Sequence, residues 1–297
     1  MAIPTGQTLA LGDGSTVGYY TYGDPTGAPV IALHGVPACG AGFQWADGPA
    51  TARGLRVLAP DRPGVGRTSC RAGGWTVAAY ADMIRTFADA MGLSRFGVWG
   101  YSGGGPYAVA CAAALPDRID AVVVAAGMGQ VGVWASAEDF EKTDRQMLGL
   151  AVRHPWLARR ALSIGALAAR RLPKSAMKSF ATELSPSDRE VLAELGSPAE
   201  AMALFTEAFT NGPRGVVDDY AAIARPWDCD LSAIAMPVHV MHGSDDTMVP
   251  LAHAERLVAV LPEAKLTVWP GEGHLGTIRH VGEILDVFVD PPGQAGD

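Results

Sequence analysis

The chain has 297 residues, 48% of them hydrophobic and 18% charged, and a formal net charge of −8. So large a hydrophobic share can bury a substantial core, which excludes intrinsic disorder, and the length suits one large α/β domain or two small ones. An acidic surplus repels phosphate backbones, so nucleic-acid binding is not expected.

Met1-Ala2-Ile3-Pro4-Thr5-Gly6 has neither a basic start nor a long apolar run, so no cleaved secretion signal is expected. Strand-like runs then alternate with helix-like ones. Thr16–Thr21, Pro29–Leu33 and Leu55–Ala59 read as strands, and Thr76–Met91 reads as a helix closed by Gly92. Phe96–Tyr101 is the next strand, Pro106–Leu115 the next helix and Ile119–Ala126 the next strand. Late in the chain, Val238–Met241 and Lys265–Trp269 read as strands, followed by helical runs at Leu251–Leu261 and Gly276–Phe288. Such alternation predicts parallel βαβ units in a doubly wound sheet. No stretch approaches the roughly 20 apolar residues of a membrane span.

Between about Gly127 and Pro226 the alternation stops and only helical runs remain. The chain therefore reads as a core in two parts, 1–127 and 226–297, around a helical insertion at 128–225. An insertion there is expected to form a cap over the C-terminal edge of the sheet, where ligands bind in open α/β folds. Its charge is uneven, with seven Lys/Arg and no Asp/Glu from Arg153 to Lys178. Acids dominate afterwards, among them Glu183, Asp188, Glu190, Glu194, Glu200 and Glu207. The bases read as a solvated face paired with those acids. An anionic-substrate or membrane-surface patch stays open as well, because Trp156, Leu157, Ile164 and Leu167 are interleaved with them. The tail at 291–297, rich in Pro and Gly, is expected to fray. Cys39, Cys70, Cys111 and Cys229 lie far apart with no C-x-x-C pair and no Cys/His cluster. Neither a metal site nor a disulfide framework is expected, and scattered thiols suit a cytoplasmic location.

The chemistry centres on Gly100-Tyr101-Ser102-Gly103-Gly104, a serine between a strand and a helix. Serine there suits a nucleophile elbow, in which a strained turn lifts the hydroxyl above the sheet. A serine hydroxyl needs a histidine to take its proton, an acid to orient that histidine, and donors for the oxyanion. After the strand Val238–Met241, Asp245 and Asp246 are both candidate acids. Beyond Lys265–Trp269, His274 lies in a glycine-rich loop and fits the base. Gly103 N–H and the early loop His34-Gly35-Val36-Pro37, through Val36 N–H, are the candidate oxyanion donors, since Pro37 has no N–H. His34 itself reads as a structural residue bonding backbone within its loop.

Taken together the motifs resemble the α/β-hydrolase superfamily along nearly the whole chain. His34–Pro37 is similar to that family's H-G-x-P loop, and Asp61–Ser69 to its D-R-P-G-x-G-x-S turn. Gly100–Gly104 is similar to its elbow, Asp246–Pro250 to D-x-x-V-P and Gly271–His274 to G-x-G-H. The resemblance implies a mostly parallel eight-stranded sheet with helices on both faces and a helical cap after strand six. It also implies a Ser102–Asp246–His274 triad working without a cofactor, which favours Asp246 over Asp245. Relatives that open haloalkanes or epoxides carry aspartate at the elbow, so Ser102 points instead to acyl transfer and to hydrolysis of a carboxylic ester of a small or medium apolar substrate. Alternatives on the same fold are an amidase like proline iminopeptidase, with Glu200 or Glu207 receiving a substrate amine, a C–C bond hydrolase, a lactonase or tailoring hydrolase, and a non-catalytic small-molecule receptor. The partner expected is a small-molecule substrate, and nothing in the sequence specifies an oligomeric state.

Overall fold

The computed structural model describes residues 4–133, 135 and 139–289. Met1-Ala2-Ile3 and the tail at 291–297 lie outside the described residues, so the readings that rest on them have no structural counterpart. Eight strands form one sheet: β1 (Gln7–Ala10), β2 (Thr16–Gly23), β3 (Ala28–Leu33), β4 (Leu55–Pro60), β5 (Phe96–Tyr101), β6 (Ile119–Ala125), β7 (Val238–Gly243) and β8 (Ala264–Trp269). Their spatial order is β1-β2-β4-β3-β5-β6-β7-β8. The β1–β2 and β2–β4 pairs are antiparallel, and every pairing from β4 across to β8 is parallel.

The central strands are apolar on both sides because helices cover both faces. Ile31, Val57, Val98, Trp99 and Val122 to Val124 are fully buried. The core helices are α1 (Asp47–Thr51), α2 (Val77–Ala90) and α3 (Gly105–Ala114) before the insertion. The insertion supplies α4 (Lys142–Arg153), α5 (Pro155–Arg171), α6 (Pro173–Ala181), α7 (Pro186–Glu194), α8 (Pro198–Glu207) and α9 (Arg214–Ile223). After it come α10 (Ala252–Val260), α11 (Gly276–Arg279) and α12 (Val281–Asp286). α2 packs on α3, and α1 on α12. The insertion helices announce their starts in sequence. α5, α6, α7 and α8 each open on a proline, which suits a first turn that has no partner for an N–H. Ser185 and Ser197 cap α7 and α8, the latter through a full capping box with Glu200.

Three elements differ from the sequence reading, the short helix α1 among them, where none is expected. β1 was not expected, since Gln7–Ala10 is mostly exposed and shows no apolar run; only its pairing with β2 makes it a strand. The single helix expected over Gly276–Phe288 is two helices broken at His280. There the imidazole stacks on Trp269 with ring centres 4.5 Å apart, and Nδ1 lies 2.7 Å from Glu283 Oε1 at the start of α12.

Candidate active site

Ser102 opens a short 3-10 turn between β5 and α3, with φ +55°. A residue with a Cβ adopts that region only when its surroundings enforce it. The flanking glycines show how. A Cβ on Gly100 would lie 2.6 Å from the Gly104 carbonyl oxygen, and one on Gly104 would run into the Leu33 carbonyl. The turn is tied down on its far side, where the Met128 N–H donates to the Ser102 carbonyl at 3.1 Å. Gly35 faces the serine so closely that a Cβ there would lie 3.1 Å from Ser102 Cβ and 3.5 Å from Oγ. Val36 N sits beside Gly103, only 3.1 Å from where a Gly103 Cβ would stand. The two expected oxyanion donors are therefore neighbours, on loops that meet at Ser102.

A buried clamp holds that early loop. The Arg62 guanidinium donates to the His34 carbonyl at 2.5 Å and to the Gly35 carbonyl at 2.7 Å. Its Nε donates to Asp219 on α9 at 2.8 Å, and the Tyr107 hydroxyl donates to the other Asp219 oxygen at 2.6 Å. Both charged residues are fully enclosed, so each depends on the other for solvation. Next to Arg62, Asp61 accepts from Gly40 N–H at 2.8 Å, while burial pushes its carboxyl up to about 7. His34 has the structural role read from the sequence. Its Nδ1 lies 2.8 Å from Gly35 O, its Nε2 accepts from Arg62 N–H at 3.2 Å, and burial, aided by Arg62, keeps the ring neutral well below the ordinary histidine range.

His274 and Asp246 meet, with Nδ1 2.8 Å from Oδ2 and both side chains buried. Asp245 is exposed and accepts from its neighbour Ser244 Oγ at 2.7 Å, so Asp246 is the acid at this histidine. The turn presents it firmly, because Met248 and Val249 N–H donate to Asp246 Oδ1 at 2.9 and 2.8 Å. His242 adds a second imidazole, its Nε2 3.2 Å from Asp246 Oδ2. Burial alone would raise the Asp246 pKa, but the His274 charge and the hydrogen bonds from His242 and His274 carry it well below the usual carboxylate range. His274 moves the other way. Burial would lower it, yet Asp246 first, then Asp188 and Asp144, raise it above the ordinary histidine value. Tyr101, the residue before Ser102, lies beside the His274 ring at 5.2 Å between centres.

Asp188, on α7 of the insertion, is a site residue that the motifs do not reveal. Its fully buried carboxylate accepts the backbone N–H of His274 at 3.0 Å and of Leu275 at 2.6 Å, one on each oxygen. Gly273 is needed beneath it, since a Cβ there would collide with Asp188 Oδ2 and Ser185 Oγ. Thr247 Oγ1 also donates to the Glu183 carbonyl at 3.1 Å, so one segment of the insertion braces the loops of both Asp246 and His274. A second buried carboxyl, Asp144 on α4, accepts from the Tyr220 hydroxyl at 2.7 Å and is pushed up to about 7 by burial. Glu200 and Glu207, the carboxylates considered for a substrate amine, are engaged elsewhere. Glu200 closes the capping box of α8, and Glu207 pairs with Arg67 at 2.9 Å and accepts from Tyr20. Among the described residues no group of three His, Cys, Asp or Glu side chains is placed to hold a metal ion.

A strained serine between β5 and α3, a carboxylate–imidazole pair beyond β7 and β8, and a family model for the alpha/beta hydrolase fold that matches residues 28–281 agree. The chain belongs to the alpha/beta hydrolase family. The chain is 31% identical over 274 residues to a 2-hydroxy-6-oxo-2,4-heptadienoate hydrolase of Pseudomonas putida, covering 87% of this chain and 89% of that one. It is 27% identical to a proline iminopeptidase of Xylella fastidiosa over 90% of its own length and 89% of the relative's. Among solved structures, an alpha/beta hydrolase fold protein from Nakamurella multipartita superposes with a TM-score of 0.65 and 27% identity, over 95% of this chain and 99% of that one.

Proposed function

We propose that this hydrolase cleaves a carboxylic ester of a small or medium apolar substrate through an acyl-enzyme on Ser102. The observation that carries the reading is the 2.8 Å contact of His274 with buried Asp246, beside a serine held at positive φ. In this reading Ser102 Oγ attacks the substrate carbonyl while His274 Nε2 takes its proton. Asp246 holds Nδ1 and stabilises the imidazolium that results. The N–H groups of Val36 and Gly103 receive the oxyanion, and losing one such donor costs about 3 kcal/mol of barrier. His274 then gives its proton to the departing alcohol, takes one from a water whose oxygen attacks the acyl carbonyl, and returns it to Ser102 Oγ as the bond to the acyl group breaks and the acid leaves. The segment 128–225 serves as the cap, and the free thiols suit a cytoplasmic setting. Aromatic rings beside the site support an apolar acyl group, with the Tyr101 ring centre 6.4 Å from that of Trp45 and 5.2 Å from that of His274.

The iminopeptidase reading loses the two carboxylates that favoured it, because both are committed elsewhere. Hydrolysis of a C–C bond is the second reading. It is favoured by the Pseudomonas putida relative at 31% identity and needs the same serine, histidine and oxyanion donors. One panel separates these: p-nitrophenyl esters of increasing chain length, an aminoacyl anilide and a vinylogous 1,5-diketone acid. Turnover of short and medium esters above the other two supports esterase action, and preference for the diketone reverses the order. A fluorophosphonate probe should label the wild type but not Ser102→Ala. Equal labelling would remove Ser102 from the mechanism, and slow turnover with tight product retention would favour the receptor reading.

A further inference from the structure

Ten large hydrophobic side chains are exposed among the described residues, and six of them fall between positions 152 and 172: Val152, Trp156, Leu157, Ile164, Leu167 and Leu172. The same region is the most basic of an acidic chain. From Arg153 to Lys178 it holds seven of the 23 Lys/Arg and none of the 31 Asp/Glu. On α5, Trp156, Arg160, Ile164, Leu167 and Arg171 follow one another at spacings of four, four, three and four, so they share one face. All five are exposed, with Trp156 at 63% and Ile164 at 67%, while Ala158, Ala166 and Ala169 are buried on the opposite side.

The sequence reading pairs these bases with the acids at 183–219, but the structure sends the acids largely elsewhere. Glu190 and Glu194 lie 3.6 and 2.8 Å from Arg279, Glu183 accepts from Thr143, and Glu207 binds Arg67. Arg159 reaches Asp218 at 3.8 Å and Arg170 donates to the Thr206 carbonyl, so these two are engaged by neighbouring helices of the insertion. Arg153, Arg160, Arg171, Lys174 and Lys178 are exposed around the apolar stripe.

We propose that the α5–α6 face docks the protein on an anionic lipid surface. Trp156, Ile164 and Leu167 enter the headgroup boundary, and the surrounding Arg and Lys side chains meet the lipid phosphates. The chemistry favours this occupant over a second copy, because a two-fold contact through the patch would set bases against bases. Tryptophan is at home at that boundary, and an amphipathic helix with bases beside its apolar stripe lies in the interface plane. α5 spans 17 residues and, among the described residues, no helix is long and apolar enough to cross a membrane, so the contact is a surface one. The proposal stands apart from the ester reading, since none of these residues touches Ser102, Asp246 or His274.

The test is co-sedimentation of the full chain with vesicles of phosphatidylcholine and phosphatidylglycerol in equal parts, and with phosphatidylcholine alone. Wild type should pellet with the mixed vesicles, be released by salt and leave the neutral ones. Arg160→Gln/Arg171→Gln should weaken partitioning by on the order of tenfold or more, since each base near an anionic surface is worth roughly fivefold. Ile164→Ser/Leu167→Ser should weaken it too, and both variants should keep wild-type turnover of a soluble ester. Wild type that fails to pellet, or binds both vesicles equally, overturns the proposal. So does a wild-type dimer in sedimentation velocity that Ile164→Ser/Leu167→Ser converts to monomer, because the stripe then joins copies of the chain.

Discussion

Replacing Asp188 tests whether the insertion acts on the chemistry through His274. The carboxylate accepts two backbone N–H groups, those of His274 and Leu275, at 3.0 and 2.6 Å in a fully buried place. In Asp188→Ala both donors lose their partner. An unsatisfied buried donor costs about 1–3 kcal/mol, so the loss should total about 2–6 kcal/mol. That is a large part of a domain stability of about 5–15 kcal/mol. Asp188→Asn keeps one oxygen acceptor, should lose about half as much, and is the variant for kinetics. A shift of about 1 Å in a reacting group can cost on the order of 100-fold, so kcat/KM on p-nitrophenyl acetate should fall by roughly 10- to 100-fold. The charge gives a second readout. Asp188 helps raise the His274 pKa, and His274 accepts a proton only when neutral. Activity is therefore lost as pH falls through the His274 pKa, and in Asp188→Asn that acid limb should move to lower pH. Folding follows the same sign. A histidine raised in the folded state lends stability that is fully present below about pH 6.5 and fades as pH rises through the folded value, and this contribution should shrink in the variant. A lowered denaturation midpoint with an unmoved acid limb and unchanged kcat/KM would refute the link, leaving Asp188 as a fold residue only.

The remaining outcomes concern the other buried groups. Asp246→Asn should lower kcat by about 10⁴-fold whereas Asp245→Asn stays near wild type, and the opposite ranking in the same assay would show the wrong acid beside His274. Arg62→Met leaves Asp219 buried without its countercharge, held by the Tyr107 hydroxyl alone, and takes the Arg62 donors from the His34 and Gly35 carbonyls, so thermal unfolding should show a loss of about 3–5 kcal/mol, roughly 10 °C in Tm. A change within about 1 kcal/mol would mean that the clamp is not holding the loop. For Asp144, pushed up to about 7 by burial, stability is lost as pH rises between about 4 and about 7. Asp144→Asn keeps an acceptor for Tyr220 and should flatten that dependence in denaturant titrations; an equally steep curve would assign it to other groups, Asp61 first.

Much of the fold is legible because parallel strands buried on both faces are written as short apolar runs. β3, β5 and β6 fall within a residue or so of their expected limits. β1 is not legible, since an exposed edge strand is defined by its partner and Gln7–Ala10 has no pattern of its own. The break at His280 is hidden for a related reason. His280 there stacks on Trp269 of β8, a contact that no local pattern announces.

For the site, the sequence alone determines Ser102, Asp246, His274, Val36 and Gly103 as candidates. Each sits where a strand ends in a short loop, and glycines mark where backbones must approach closely. The tertiary structure decides which adjacent acid faces His274, because the turn that donates to Asp246 Oδ1 leaves Asp245 exposed. It alone brings in Asp188 and Asp219, which lie 86 and 157 positions along the chain from the residues they hold. A carboxylate that acts by bonding another loop's backbone needs no motif around itself. Its role is set by which distant segments the packing brings within about 3 Å, the reach of a hydrogen bond.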